Sequence, residues 1–168
     1  MKRVWVSLTI AVLFLAALPL AAQTGTWTAV GSTGVVDESA AAIYAFGTTN
    51  LTFLGNNTGT IVARYNVTNT WGGGALDTPP WSILQMGYLD TNAATSVRAD
   101  LFRVDPCSGV QTLLCTMTST DASAPTCKVC TFAPGSINFA ASVYYAQVTL
   151  TRSASTAPAP SLFSLRIF

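Results

Sequence analysis

Residues 142–152 read SVYYAQVTLTR, and this stretch decides the fold. Every second residue from Tyr144 to Leu150 is apolar or aromatic, whereas Gln147 and Thr149 fall in the other phase. Successive side chains of a β-strand point to opposite faces, so the alternation predicts a strand with one face in a core. No segment beyond residue 22 sustains the spacing of three or four residues that an amphipathic helix requires.

Shorter runs of the same kind recur outward from this stretch, separated by clusters of Gly, Pro, Asn and Asp such as the turn at 105–109. The predicted strands are residues 27–30, 41–46, 51–54, 60–67, 82–89, 96–104, 110–118, 126–132, 142–152 and 161–168. We expect 126–132 to pair back on 110–118. Roughly ten strands are too many for one flat sheet. The sequence therefore predicts an all-β, two-sheet β-sandwich of jelly-roll or immunoglobulin-like topology.

The first 22 residues have the three parts of a secretory signal. A basic start (Lys2, Arg3) precedes an uncharged, mainly apolar stretch over 4–20, and Ala21 and Ala22 supply small residues for cleavage. The stretch is shorter than the roughly 20 residues of a spanning helix, which disfavours an uncleaved anchor. We predict a signal peptide over 1–22 and one domain over 23–168, secreted, periplasmic or on the cell surface, with no membrane span after cleavage.

Charge and composition exclude several functions. Removing Lys2 and Arg3 lowers the eight basic residues to six against seven acidic ones, a net charge of −1 without a basic run. Nucleic acid is therefore not an expected partner, since it demands clustered Lys and Arg. The chain has no histidine, which removes the common nucleophilic triads and histidine general bases. We predict a protein that is not an enzyme and holds no cofactor.

Four cysteines, Cys107, Cys115, Cys127 and Cys130, fall within a short span of an exported chain. In an oxidising compartment they predict two disulfides, with three connectivities open. Nested pairs, Cys115 with Cys127 and Cys107 with Cys130, are favoured because the inner two lie about equally far from the predicted turn. A Cys127–Cys130 bridge is the alternative. A redox C-x-x-C or a zinc site fits less well, because no helix follows Cys130 and export favours oxidation.

The longest irregular segment, residues 69–81, is bracketed by Trp71 and Trp81. Loops of this length commonly serve binding. Tryptophan can stack on the apolar face of a sugar ring while Asn69 and Asp77 bond its hydroxyls. These four residues are the predicted ligand site. In the alternative, both tryptophans fold back over the edge of the sandwich.

The favoured function is thus an exported, non-enzymatic binding or surface-interaction module, with carbohydrate as the expected ligand and a glycan or another surface protein as partner. One alternative is a self-associating subunit of a surface or envelope assembly. A second is a small outer-membrane β-barrel, because many such barrels resemble this chain in ending with a phenylalanine, here Phe168. A third is an Asp/Glu-dependent hydrolase using Glu38. No metal site is predicted, since Asp90 and Asn92 alone are too few ligands for calcium.

Overall fold

The computed structural model describes residues 25–71 and 78–168. Residues 1–24, which contain the predicted signal peptide, lie outside the described ranges. Within the described ranges, the chain forms strands that are joined by turns and by two single-turn 3-10 helices, Gly31–Thr33 and Glu38–Ala40. The strands are β1 (Trp27–Val30), β2 (Val35–Val36), β3 (Tyr44–Phe46), β4 (Leu51–Phe53), β5 (Gly59–Val67), β6 (Ile83–Leu89), β7 (Thr95–Val104), β8 (Gln111–Thr118), β9 (Thr126–Thr131), β10 (Val143–Arg152) and β11 (Ser161–Ile167).

The strands divide into two antiparallel sheets packed face to face. The first sheet has the order β3-β4-β11-β6-β9, and β1 pairs with β11 beside β4. The second sheet has the order β2-β5-β10-β7-β8. The predicted two-sheet β-sandwich is confirmed: the described strands form two open sheets and not the single closed sheet of the barrel alternative.

Strand β10 is the centre of the second sheet, as its sequence predicts. It pairs along its whole length with β7 and, from Tyr144 onward, with β5. Its in-phase residues from Tyr144 to Leu150 are buried, and together with Leu84 and Met86 of β6 they belong to the core between the sheets. Strand β10 is therefore stabilised by backbone hydrogen bonds to two neighbouring strands and by the burial of one apolar face.

One pairing predicted from sequence is wrong. Strand β9 does not return to β8 but crosses to the first sheet and pairs with β6, while β8 pairs with β7. Strands β8 and β9 thus form the same edge of the sandwich in different sheets.

A single disulfide joins this edge. Cys115 of β8 is bonded to Cys130 of β9, with Cα atoms 5.9 Å apart, so the bond links the two sheets. The predicted pairs Cys115–Cys127 and Cys107–Cys130 are therefore wrong. Cys127 lies three residues before Cys130 and so points to the opposite, exposed face of β9. Cys107 and Cys127 are both exposed and unpaired.

Two buried charged residues hold loops to the ends of the strands. The guanidinium of Arg152 donates to carbonyl oxygens of Gly55, Asn57, Ser155 and Ala157. It thereby connects two loops that are about a hundred residues apart in the chain. Counted from Arg152, the acceptors of one loop are 97 and 95 residues away and those of the other are 3 and 5 residues away.

Asp90, one of the two oxygen ligands considered for calcium, is also buried. Its carboxylate accepts hydrogen bonds from the hydroxyls of Thr95 and Ser119. Within the described ranges, no group of three or more metal-ligating side chains occurs. Asp90 thus connects the turn before β7 to the end of β8, a structural role.

Candidate functional site: the outer face of the second sheet

The register of the second sheet aligns three pairs of side chains on its outer face. Across β10 and β7, Tyr145 lies opposite Phe102, Gln147 opposite Asp100 and Thr149 opposite Arg98. Tyr145, Gln147 and Thr149 occupy the phase of β10 that does not enter the core, and their partners on β7 lie on the same face. The outer face therefore presents one aromatic row followed by two polar rows.

The aromatic row is a stacked pair. The rings of Tyr145 and Phe102 have centroids 5.1 Å apart and planes inclined by 21°. Both side chains are half-buried, and the Tyr145 hydroxyl donates to Oε1 of Gln111 on β8 at 2.8 Å. Directly opposed residues of an antiparallel pair have close Cβ atoms, and the stack follows from that geometry. The pair offers a fixed apolar surface with a polar edge.

The polar rows carry donors and acceptors at fixed positions. Nε of Arg98 donates to Oδ1 of Asp100 at 3.0 Å. Only 5% of the Asp100 side chain is exposed, against 50% for Arg98. Two residues apart on one strand, they share a face. With Gln147 alongside, the face presents guanidinium and amide donors and an amide acceptor, while the largely covered Asp100 carboxylate orients the Arg98 side chain.

Beyond the aromatic pair the face becomes apolar. A register shift occurs between Leu101 and Phe102, which pair with Cys115 and Leu113 and leave Leu114 as the extra residue of a bulge. This extra residue turns Leu113 outward beside Phe102. Leu113 and the nearby Val143 are exposed apolar side chains.

The residues predicted from sequence as the ligand site do not assemble as expected. Trp81 is only 2% exposed, its indole N–H donates to the Gly25 carbonyl at 3.0 Å, and its ring meets Phe139 edge-on at 6.0 Å. It cannot stack on a ligand, so its predicted role is wrong. Its side chain is a large apolar group that the core buries.

The other three residues of that prediction differ from one another. Trp71 is half-buried and packs against the core, and its backbone N–H bonds Oδ1 of Asn69 at 3.0 Å. Asn69 is exposed. Asp77 lies outside the described residues. A ligand role for Trp71 and Asn69 stays a prediction.

Sequence reasoning missed Tyr145 and Phe102. Each lies in the outward phase of a predicted strand, and that phase is visible in the sequence. Their juxtaposition is not visible, because β7 and β10 are separated by two strands in the chain and meet only through the register of the sheet.

Comparison with known proteins establishes the fold class. No family model matches the chain, and no curated protein does. Among solved structures, the xylan-binding module CBM15 matches with a TM-score of 0.52 and 13% identity, over 85% of this chain and 95% of that one. The glycosylation associate protein (Gap123) complex from Streptococcus agalactiae matches with a TM-score of 0.51 and 9% identity, over 84% of this chain and 25% of that one.

A family 11 carbohydrate-binding module from Clostridium thermocellum matches with a TM-score of 0.45 and 9% identity, over 86% of this chain and 87% of that one. The chain is thus similar in fold to the β-sandwich module CBM15; at such identity the likeness concerns the fold alone. In the part of the chain that the structure describes, no helix has the length and apolarity of a membrane span.

Proposed function

We propose that this chain is an exported, non-catalytic module that binds carbohydrate on the outer face of its second sheet. The observation that carries the proposal is the stacked pair of Tyr145 and Phe102 beside the polar rows of that face. The fold likeness to a xylan-binding module supports the class of ligand and leaves the particular sugar open.

The chemistry of the face matches the two sides of a sugar ring. The C–H groups of a pyranose cover an aromatic surface, and the hydroxyls around the ring need donors and acceptors. The Arg98–Asp100 pair is held by its own 3.0 Å hydrogen bond. It therefore keeps its geometry without a ligand and loses little conformational entropy on binding.

Titration calorimetry against the oligosaccharide that gives the strongest signal on a glycan array tests the aromatic pair. We expect Tyr145→Ala and Phe102→Ala each to weaken binding roughly 5- to 30-fold, since each removes a stacking surface worth about 1–2 kcal/mol. Phe46→Ala is the matched control, because Phe46 is an exposed aromatic residue on β3 of the first sheet. Affinities equal to the wild type in both outer-face variants would exclude this site.

The loop residues predicted from sequence give a rival location for the same activity. Trp71→Ala and Asn69→Ala test it on the same titration. Loss of binding in these variants, with Tyr145→Ala unaffected, would move the site from the sheet to residues 69–71.

Export and the oxidised state are part of the proposal. The Cys115–Cys130 disulfide supports an extracellular or periplasmic protein, and the signal peptide over 1–22 supplies the route. Intact-mass analysis of the secreted protein should give a chain that begins at Gln23. A mature protein that retains Met1 would contradict cleavage.

A second candidate function rests on the apolar end of the outer face. Val143 is 55% exposed, and Leu113 is 46% exposed. Exposed apolar groups that lie together are typical of protein contacts, which favours a self-associating surface subunit. Sedimentation velocity separates the candidates: a monomer at high concentration excludes assembly through this face.

A further inference from the structure

Strand β8 is an edge strand of the second sheet and extends its outer face beyond β7. Its register with β7 places Thr116 opposite Asp100 and Thr118 opposite Arg98. Directly opposed residues of an antiparallel pair lie on the same face, so each polar row continues from β10 through β7 onto β8. Both threonines are exposed. The outer face therefore presents two hydroxyls beside the Arg98–Asp100 pair.

The bulge in β8 decides which threonines of the strand reach this face. Successive residues alternate between the two faces of a sheet, so Thr112, Thr116 and Thr118 would share one face in a regular strand. The extra residue, Leu114, reverses the alternation, and Thr112 lies opposite Arg103 in the phase that faces the other way. The register thus separates Thr112 from the other two threonines of the same strand.

Three attachments on the core side of β8 hold this phase. Cys115 is bonded to Cys130 of the first sheet, and the Met117 side chain is buried in the core. The Ser119 hydroxyl donates to the carboxylate of the buried Asp90. Because these alternate residues are all attached on the core side, the two threonines between them are fixed on the outer face.

We propose that the hydroxyls of Thr116 and Thr118 are part of the carbohydrate site, which therefore takes an oligosaccharide and not a single sugar. The inference rests on the proposed function, because it extends the same outer face. The aromatic row at Phe102 and the polar row at Arg98 are four residues apart along β7, or about 13 Å. One sugar ring does not span that distance, so a ligand that contacts both rows has several rings.

The chemistry of threonine suits this role. A hydroxyl both donates and accepts hydrogen bonds, as the hydroxyls of a sugar do. The branched Cβ restricts the side-chain rotamers of threonine, and the attachments of β8 to the core fix its backbone. Groups that are already ordered lose little conformational entropy when a ligand binds.

The test titrates xylohexaose, cellohexaose and β-1,4-galactohexaose into the full secreted protein and follows binding by calorimetry and by amide chemical shifts. For the hexasaccharide that the wild type binds most tightly, we expect Thr116→Val and Thr118→Val each to weaken binding about fivefold. Each variant keeps the branched side chain and removes one hydrogen-bonding hydroxyl. Thr112→Val is the matched control, because it makes the same change at an exposed threonine of β8 on the opposite face. This control should bind as tightly as the wild type.

The extension onto β8 and the outer-face site fail in different ways. Wild-type affinity in both Thr116→Val and Thr118→Val, with binding lost in Tyr145→Ala, overturns the extension and leaves the outer-face site standing. An equal loss in Thr112→Val also overturns the extension, since the effect then does not depend on the face. Amide shifts at Thr116 and Thr118 on titration, without a shift at Thr112, support it. A wild type that binds none of the three hexasaccharides counts against the outer face as a glycan site, and the inference fails with it.

Discussion

Removing the disulfide should cost a calculable amount of stability. Cys115 and Cys130 close a loop of 15 residues, and the chain-entropy relation gives an unfolded-state entropy loss of about 10 cal/mol/K for that length, or about 3 kcal/mol at 25 °C. The double variant Cys115→Ala, Cys130→Ala should therefore unfold with a free energy about 3 kcal/mol below that of the wild type, measured by urea denaturation without reductant.

The unpaired cysteines provide the control for this measurement. Cys107→Ala and Cys127→Ala change exposed thiols only, so each should move the free energy of unfolding by less than about 0.5 kcal/mol. Thiol labelling of the native protein should modify these two cysteines alone. A double variant as stable as the wild type, or an equal loss in Cys127→Ala, would falsify the assignment.

Three further predictions concern buried groups, and urea denaturation measures each. Arg152→Met leaves the carbonyl oxygens of four loop residues without their donor and should lower the free energy of unfolding by about 2–4 kcal/mol; a loss below about 0.5 kcal/mol would show that the loops close without it. Trp81→Ala should cost about 3–5 kcal/mol through the cavity it leaves, against less than about 1 kcal/mol for the exposed Phe46→Ala. Burial raises the pKa of Tyr65, so the unfolded chain releases that proton first and wild-type stability falls by about 1.4 kcal/mol per pH unit above about pH 10. Tyr65→Phe should lack this contribution, and parallel alkaline profiles for the two proteins would refute it.

The sequence predicts the positions of the strands in the chain well, but it predicts poorly which strands pair with each other in the sheets. The alternation over 142–152 identifies β10 because burial of one face is written into the order of residues. That β10 pairs with both β5 and β7 depends on the competition among all strands for partners, which no local pattern encodes. The sandwich was therefore accessible from the sequence, whereas its strand order was not.

The errors at the cysteines and at Trp81 have the same origin. The predicted nested pairing requires β8 and β9 to be neighbours in one sheet. Strand β9 instead crosses to the first sheet, where Cys130 is bonded to Cys115. The position of Trp81 at the end of an irregular segment predicts a binding role, but the core buries this side chain because the apolar area of its indole outweighs the irregular backbone around it. Tyr145 and Phe102 became a candidate site only through the register of two strands.

Strand order also constrains when this protein can fold during its synthesis. Strands β5 and β7 do not pair with each other, because β10 lies between them, and in the first sheet β11 lies between β4 and β6. Each sheet therefore stays in two separate parts until β10 and β11, the last two strands of the chain, have emerged from the ribosome. Everything synthesised earlier can form only partial sheets with open edges. A nascent chain of this kind cannot complete either sheet until its last two strands emerge, so its stable fold forms late in synthesis.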